Sequence, residues 1–560
     1  MNTPQQTSHT DTHQYSGKAL RMIGLILFII GLAVFTGSLF IGQYRLSPAA
    51  LEAASAKVPA ERLEKLRPLE GRVYDSKFDL LEAIESHIND DGAVQPYQLG
   101  VYKLWLLKAA VIGPVREHPL GFFFASVVLA VVGALIFILP GFRELPGIKH
   151  NHIFFSSAMH RGAIGILLGT YLIGFYMLLY WWPEYIVNLI ILLDPLSHFL
   201  RQAPADQWFL YGVLYTITII VMGIRMFSKY RHSRYHLVRT TSVIFFQLGF
   251  AFLIPTMMER FSLPSMDLKN AWPLDYTLFT DWRLDTFLSG GTLGTLMLIW
   301  GVILALVVVP LMTYRFGKRW YCSWVCGCGG LAETLGDPFR QLSDKSLRAW
   351  KIERWLIHSV LIFAVVMTLM QIANYLSGGA IFSNYTWRVN QAYSFMIGAV
   401  FAGVVGTGFY PLMGNRVWCR FGCPLAAIMG IVQKFKSHFV ITTNGGQCIS
   451  CGNCSTYCEM GIDVRWYAQR GQNIVRASCV GCGVCAAVCP RGVLKLENGA
   501  THTDRFAGAD RQANHPWRGR RRVHGGVNMS QRSRSRSFGA LPTNRRHNKL
   551  HRFRTKTSGE

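Results

Sequence analysis

The chain has 560 residues, of which 51% are hydrophobic and only 16% are charged. This composition excludes an ordinary soluble enzyme and indicates that much of the chain lies in lipid. The net charge of +26 is unevenly distributed, because residues 501–560 contain 15 Lys and Arg against 3 Asp and Glu. The excess charge therefore does not describe one basic folded surface, and nucleic acid is not an expected partner.

Eight apolar runs are long enough to cross a hydrocarbon layer as helices. They occupy residues 22–42, 120–140, 162–182, 208–224, 241–258, 292–312, 355–376 and 393–413. The first run is too long for the apolar core of a secretory signal, and no clear A-x-A cleavage site follows it. It is therefore predicted to remain as the first span.

The orientation of the spans follows from their loops. Lys and Arg are concentrated after the second, fourth and sixth runs, whereas the loops after the third and seventh carry one Arg each. By the positive-inside rule, both termini are then cytoplasmic, and the bilayer is predicted to be a bacterial inner membrane. All 13 cysteines lie between Cys322 and Cys489, on or near the same side. Such clustering does not fit a disulfide framework and indicates a reducing compartment.

The runs and motifs divide the chain into six predicted parts. These are a cytoplasmic segment (1–21), two spans with an outward loop 43–119 (22–141), spans three to six (142–313), spans seven and eight with a repeated cysteine motif (314–430), a cysteine-rich domain (444–498) and a basic tail (500–560). Two apolar stretches, 102–112 and 185–193, are too short to span and predict interfacial or re-entrant elements. The tail has almost no aliphatic residues, so we expect it to be disordered. In a membrane protein, attraction to anionic lipid headgroups, or no role at all, is favoured over nucleic-acid binding.

The strongest motif is a pair of cysteine runs near the carboxyl end. The first run has the spacing x2, x2, x3, and the second repeats it 21 positions later and ends in Cys-Pro. Two-residue gaps let a tight loop turn three thiolates toward one iron–sulfur cube, and thiolates are soft ligands suited to it. Structural zinc is the alternative, but zinc ribbons seldom show two such runs. The departure from the usual pattern is Glu459, which stands where a proline often follows the fourth cysteine.

These runs resemble the bacterial two-cluster ferredoxin pattern, in which the fourth cysteine of each run ligates the other cube. The resemblance implies two [4Fe-4S] cofactors. It assigns Cys448, Cys451, Cys454 and Cys489 to one cluster, and Cys479, Cys482, Cys485 and Cys458 to the other. The predicted fold class is therefore mainly α: a polytopic helical membrane protein of about eight spans with a small C-terminal α+β double-cluster ferredoxin-like domain.

A second cysteine motif is repeated at the ends of spans six and eight. The two copies are offset by 97 positions and both read G-[KN]-R-x-[YW]-C-x3-C, which places Cys322 with Cys326 and Cys419 with Cys423. In helical segments each pair would lie one turn apart on one face, so four thiols converge. Helix starts and nearby arginines are expected to lower their pKa values, which favours an additional metal or redox centre. The alternative is that these are small buried residues that pack helix ends.

With both motifs in view, residues 292–497 resemble the membrane polyferredoxin group that includes NapH, NosR and the FixG/CcoG-type oxidase accessory proteins. In that group, membrane helices with C-x3-C-P motifs accompany a cytoplasmic double-cluster domain. The second copy fits as it stands, whereas the first reads Cys326-Gly327-Cys328 where Cys-Pro is expected. The resemblance implies an electron-transfer component rather than a self-contained enzyme, with membrane redox proteins as partners. The alternative is a copper-handling assembly factor for a respiratory oxidase or reductase.

Other candidates carry less weight. His358 lies within span seven, but haem needs a second axial histidine at matched depth, and no span offers a clear one. Asp194, His198 and Arg201 form a polar group at the outer membrane edge, where a quinone or proton site is one hypothesis and water-exposed helix ends are the other.

Overall fold

The computed structural model describes residues 8–89, 94–143, 162–435 and 439–498, which lie in one compact unit. The predicted basic tail, residues 500–560, lies outside the described residues, as does most of the loop between the second and third spans. The cytoplasmic segment 1–21 is described only from residue 8.

Eight helices of the described chain are long and apolar enough to cross a membrane, which confirms the predicted spans. They are Gly17–Phe40, Pro119–Phe142, Ala163–Trp181, Gln207–Tyr230, Arg234–Arg260, Gly291–Phe316, Leu347–Leu376 and Tyr385–Gly408. Several of these helices extend past the predicted apolar runs, because the polar residues at their ends continue the helical backbone hydrogen bonds. Four spans contain wider π-helical turns, at Phe124–Val128, Phe246–Leu253, Leu304–Val308 and Ser394–Gly408. Such turns are frequent near functional sites.

The first two spans pack through glycine. A Cβ atom at Gly24 would lie 2.6 Å from the carbonyl oxygen of Gly133, and one at Gly31 would lie 2.5 Å from the amide nitrogen of Ala130. Small residues let membrane helices approach this closely, so that backbone atoms of the two helices are in contact.

The segment between these spans folds into a small domain, here called the outer domain because the loop charges predict that it faces outward. It contains helices Pro48–Ala54, Ala60–Glu64, Lys77–Ile88 and Pro96–Ala110, and a three-stranded antiparallel sheet of β1 (Gln43–Arg45), β2 (Val73–Tyr74) and β3 (Val111–Ile112), in the order β2-β1-β3. Its core includes leucines of the predicted interfacial stretch 102–112 and the short helix Val187–Ile191. Their apolar character is thus explained by burial in a protein core.

The candidate polar group at the outer edge belongs to this packing. Asp194 forms a buried ion pair with Lys108 at 2.7 Å, pairs with Arg116 at 3.2 Å, and accepts a hydrogen bond from the amide of Ala205. Arg201 pairs with Glu259 at 3.1 Å. These contacts favour a structural role for the group, as ion-paired helix ends.

The loop after the fifth span turns back into the helix bundle. Trp300, nine residues inside the sixth span and thus about 14 Å from its start, donates a 2.8 Å hydrogen bond to the carbonyl of Leu268. Trp272 donates to Thr368 of the seventh span at 3.0 Å. Residues 262–280 are therefore a re-entrant loop.

The cysteine-rich domain is held together by a two-stranded antiparallel sheet of β4 (Phe439–Thr443) and β5 (Leu494–Asn498), in which Ile441 pairs with Leu496. Three short helices, Asn453–Thr456, Val464–Gln469 and Val484–Ala487, complete it. Gly452 and Gly483 precede equivalent helices with φ of 82° and 75°, a backbone conformation that L side chains rarely adopt. The two cysteine runs thus fold alike.

We predict that Gly133→Leu separates the first two spans. The added side chain would overlap the backbone of Phe28, whose amide nitrogen lies 2.5 Å from the ideal Cβ position. The thermal unfolding midpoint in detergent should fall, whereas Gly174→Leu, at a third-span position with open space around it, should leave it within about one degree. An unchanged midpoint for Gly133→Leu would contradict this account of the packing.

Candidate metal centres

The eight cysteines of the C-terminal domain line two separate hollows. The first hollow is lined by Cys448, Cys451, Cys454 and Cys489. The second is lined by Cys458, Cys479, Cys482 and Cys485. The structure thus brings together the two sets that the ferredoxin resemblance implies, with the fourth cysteine of each run in the opposite set. Four soft sulfur donors around a hollow fit a [4Fe-4S] cluster.

The two hollows differ in their surroundings. The first opens to solvent beside Cys451, which is exposed, and we call it the distal hollow. The second, the proximal hollow, is attached to the helix bundle through four successive carbonyl groups. These accept hydrogen bonds as follows: Cys479 from the amide of Arg319 (3.1 Å), Val480 from Ser323 (2.9 Å), Gly481 from Tyr235 (2.6 Å) and Cys482 from Arg239 (2.6 Å). The proximal hollow therefore has a fixed position against the bundle.

Five more cysteines form a buried thiol group inside the bundle. Its members are Cys322, Cys326, Cys328, Cys419 and Cys423, which share one core cluster. The structure thus brings together the four cysteines of the repeated motif. It adds Cys328, which sequence reasoning left out of the candidate site; the signal was the Gly-Cys that replaces the expected proline. Among the described residues, no three His, Cys, Asp or Glu side chains are placed to hold a single metal ion.

Each cysteine pair is built on a wide turn. The amide of Cys326 donates to the carbonyl of Tyr321 at 2.9 Å, and that of Cys423 donates to Trp418 at 3.0 Å. Both are i to i−5 bonds, so the expectation that each pair lies on one α-helical turn is wrong. The second cysteine of each pair instead has extended backbone angles and immediately precedes the next helix.

The two copies of the repeat hold each other in place. The repeat glycines Gly317 and Gly414 both have positive φ, 67° and 93°, which turns the chain back after each span. Arg319 of the first copy then donates to the carbonyl of Cys419 at 2.8 Å, and Arg416 of the second donates to the carbonyl of Cys322 at 3.1 Å. The arginine of each motif thus donates a hydrogen bond to the backbone carbonyl of the first cysteine of the other motif.

The expectation of lowered thiol pKa values holds only for Cys326. The hydrogen bond donated by Cys328, aided by Lys269, lowers the pKa of Cys326 to about 6 despite burial. Burial raises the pKa of Cys322, of Cys419 and of Cys423. For these three the expectation was wrong, because complete removal from water penalises the thiolate more than the neighbouring arginines favour it.

The re-entrant loop lies against the thiol group. The Tyr321 hydroxyl donates to the carbonyl of Lys269, and the Lys269 ammonium pairs with Asp267 at 2.9 Å. Lys269 is buried within electrostatic range of Cys326 and Cys328. An ionisable pair inside a membrane bundle is expensive to bury, and here its positive end faces thiols.

A buried ion cluster joins the C-terminal domain to the bundle. It consists of Arg239, Glu333, Arg340, Arg416 and Glu459, each at most 3% exposed. Glu459 pairs with Arg340 at 2.7 Å and with Arg416 at 3.2 Å, and Arg416 pairs with Glu333 at 2.6 Å. Arg416 also contacts the Cys419 sulfur at 3.7 Å. The glutamate that replaces the usual proline therefore anchors the domain.

The charge state of Glu459 follows from this setting. Burial alone would raise the pKa of its carboxyl group, but Arg340, Arg416 and Arg239 lower that pKa to about 2. The carboxylate therefore contributes stability at all pH values above its unfolded pKa of about 4.3, and this contribution is lost as the pH falls through about 2.

The remaining histidine candidate is not part of this site. His358 lies on the seventh span with its side chain exposed, and its Nδ1 is hydrogen-bonded to the carbonyl of Arg354 at 2.6 Å.

Comparisons with known proteins agree with the cysteine geometry. A 4Fe-4S dicluster domain matches residues 447–494, and a 4Fe-4S binding domain matches twice, over residues 297–346 and 394–442. The two matches of the 4Fe-4S binding domain coincide with the two copies of the span-plus-cysteine repeat. No solved structure matches the chain.

Three relatives illustrate the similarity. Over 170 residues the chain is 27% identical to the putative electron transport protein YccM of Escherichia coli, covering 29% of this chain and 46% of YccM. It is 28% identical over 164 residues to the methylamine utilization ferredoxin-type protein MauN of Methylorubrum extorquens, covering 28% and 53%. It is 22% identical over 225 residues to the regulatory protein NosR of Stutzerimonas stutzeri, covering 38% and 28%.

The chain thus spans about half the length, or less, of these relatives. The domain matches and the relatives confirm the resemblance to ferredoxin-type iron–sulfur proteins, and with the eight spans they confirm the predicted fold class.

We predict that Glu459→Gln destabilises the attachment of the domain. Removing one partner from a buried ion pair costs about 3–5 kcal/mol, since the remaining charges stay buried without compensation. Thermal unfolding at pH 7 should show the loss. Glu459→Pro, which restores the more usual ferredoxin sequence, should be as destabilising.

Glu64→Gln is the matched control, because its pair with Arg67 is exposed and such pairs contribute about 0–1 kcal/mol. If Glu459→Gln were no more destabilising than Glu64→Gln, the ion cluster would not be the anchor.

Proposed function

We propose that the chain is a membrane-bound iron–sulfur electron-transfer protein. Electrons would pass singly among a cluster in the distal hollow, a cluster in the proximal hollow and a centre at the thiol group. The distal ligands are Cys448, Cys451, Cys454 and Cys489, and the proximal ligands are Cys458, Cys479, Cys482 and Cys485. The four-thiol lining of each hollow supports this assignment, as does the matched dicluster domain.

A bound [4Fe-4S] cluster changes its oxidation state by one electron and needs no substrate pocket. The residues of this chain supply the surroundings of that change. The residues that line the proximal hollow are buried or half-buried, and they include the Glu459 carboxylate. Arg239 donates to the carbonyl of Cys482 at the same hollow. Charged groups beside a cluster set the balance between its oxidation states, since reduction adds negative charge.

The two hydrogen bonds of Arg319 give the main support for this proposal. The backbone amide of Arg319 donates a hydrogen bond to the carbonyl of Cys479, which lines the proximal hollow. The Arg319 side chain donates a second hydrogen bond to the carbonyl of Cys419 in the thiol group. A single residue therefore links a proximal ligand to the thiol group. Such a bridge is what a relay between two redox centres requires, because it holds both at a constant separation.

We further propose that the thiol group binds a third iron–sulfur centre through Cys322, Cys326, Cys419 and Cys423. The 4Fe-4S binding domain that matches both copies of the repeat supports this. Copper handling for an oxidase is less well supported. A metal that is handed on must enter and leave, whereas four of the five thiols are buried and the fifth, Cys328, is only half-buried.

The proposal also includes the membrane in which the protein lies, its orientation and its partners. The basic loops support a bacterial inner membrane with both termini and the ferredoxin-type domain in the cytoplasm. The partners would be a redox protein on the cytoplasmic side and a membrane redox protein or quinone on the other. The ion-paired state of Asp194 gives no support to a quinone site at that residue.

The iron content tests the number of centres. Two cubes correspond to about eight iron atoms per chain, and three to about twelve. In anaerobically purified protein, we expect about twelve, falling to about eight in Cys419→Ala. Cys328→Ser is the control and should retain the full content, because Cys328 is not among the assigned ligands. An iron content that Cys419→Ala leaves unchanged would contradict a third centre, and colourless protein would contradict the whole proposal.

The bridge is tested by Arg319→Gln. Loss of the guanidinium removes the hydrogen bond to Cys419, so we expect electron transfer from the proximal cluster to the thiol group to slow at least tenfold, as followed by freeze-quench electron paramagnetic resonance. The control is Arg476→Gln, because Arg476 stacks on Trp350 at 4.1 Å, where the domain meets the bundle, and not on the thiol group. Equal rates in both variants would exclude the bridge.

A further inference from the structure

The mouth of the distal hollow is a surface that the relay itself does not explain. Ile449 lines the hollow together with the exposed Cys451 and is itself 57% exposed. Trp466, which follows the lining residue Arg465, is 42% exposed. The proximal hollow has no comparable exposed surface, because the residues that line it are buried or half-buried. In the part of the chain that the structure describes, the distal hollow is therefore where a soluble protein can come nearest to a cluster ligand.

The charge at this mouth has one sign. Arg465 and Arg491 are the charged residues that line the distal hollow, and both are exposed. Arg470 adds a third positive charge, stacked 4.1 Å from the ring of Trp466. The nearest carboxylate on the same helix, Asp463, is half-buried and accepts a 2.6 Å hydrogen bond from Ser455. It is therefore already engaged within the domain.

We propose that this mouth is the docking surface for a soluble one-electron carrier whose own contact surface is acidic. The inference rests on the proposed function and names the partner of its distal cluster. One electron passes between the two redox groups, so one is oxidised as the other is reduced, and no bond forms or breaks.

The chemistry of the mouth suits such a partner. Tryptophan and arginine are the side chains that most often dominate binding energy at interfaces. A small apolar patch with a charged rim is appropriate to a transient redox complex, which buries little surface and depends on electrostatic attraction for rapid encounter.

The test uses the full chain in nanodiscs of neutral lipid and an acidic [2Fe-2S] ferredoxin as the carrier. Reduction of the distal cluster is followed by stopped-flow absorbance at several salt concentrations. In the wild type, the second-order rate constant should fall as salt rises, because salt screens charge attraction. In Arg465→Glu/Arg491→Glu it should be at least tenfold lower at low salt and nearly independent of salt.

The matched control is Arg45→Glu/Arg72→Glu, which makes the same change in net charge at two exposed residues of the outer domain. It should keep the wild-type rate and salt dependence. The milder Arg465→Gln/Arg491→Gln pair should give an intermediate rate, which preserves the test if the charge-reversed protein loses its cluster. A rate within twofold of wild type in the reversed pair, or an equal loss in the control, would overturn the proposal.

Two further outcomes separate this inference from the proposed function. If chemical reduction produces no cluster signal in the wild type, the proposed function fails. If that signal is complete but the ferredoxin rate does not respond to the arginines, only the docking surface fails. A loss that appears in anionic but not in neutral nanodiscs would assign the arginines to lipid headgroups and would also overturn the docking surface.

Discussion

The buried ion cluster is the interaction on which the arrangement of the sites depends. Charges removed from water are stable only when each faces an opposite charge, so Glu459 must meet Arg340 and Arg416 in one geometry. Because Arg416 also binds the first cysteine pair through the carbonyl of Cys322, the same geometry positions the thiol group. The contacts that attach the ferredoxin-type domain to the bundle therefore also position the membrane cysteines.

The thiol group lies where three parts of the chain converge. The two copies of the repeat supply the cysteines, and each copy binds the other through its arginine. The re-entrant loop places Lys269 next to the same cysteines. Full burial favours neutral thiols, yet the cationic groups around them favour negative charge. This balance suits a site that is completed when a positively charged metal centre binds, because the metal deprotonates its thiol ligands.

Much of the architecture was predictable from local patterns. Length and hydropathy identified all eight spans, since a helix in lipid must satisfy its own backbone hydrogen bonds and only about 20 apolar residues reach across. The repeat of 97 residues predicted that Cys322 and Cys419 have equivalent roles, and the paired glycines show the same turn in both copies. For Cys322, Cys419 and Cys423 the lowered pKa values were wrongly predicted, because proximity of arginine was considered and the extent of burial was not.

Amino-acid order alone determined the spans, the two cysteine runs and the repeated pair, because each depends on spacing along one segment of chain, whereas the grouping of the eight cysteines into two sets was implied by the resemblance to two-cluster ferredoxins. The tertiary structure alone decided which cluster faces the bundle, that Glu459 anchors the domain, and that Lys269 and Cys328 join the thiol group. These features are contacts between segments up to 246 positions apart. Such contacts arise from packing and the pairing of buried charges, which no local pattern encodes.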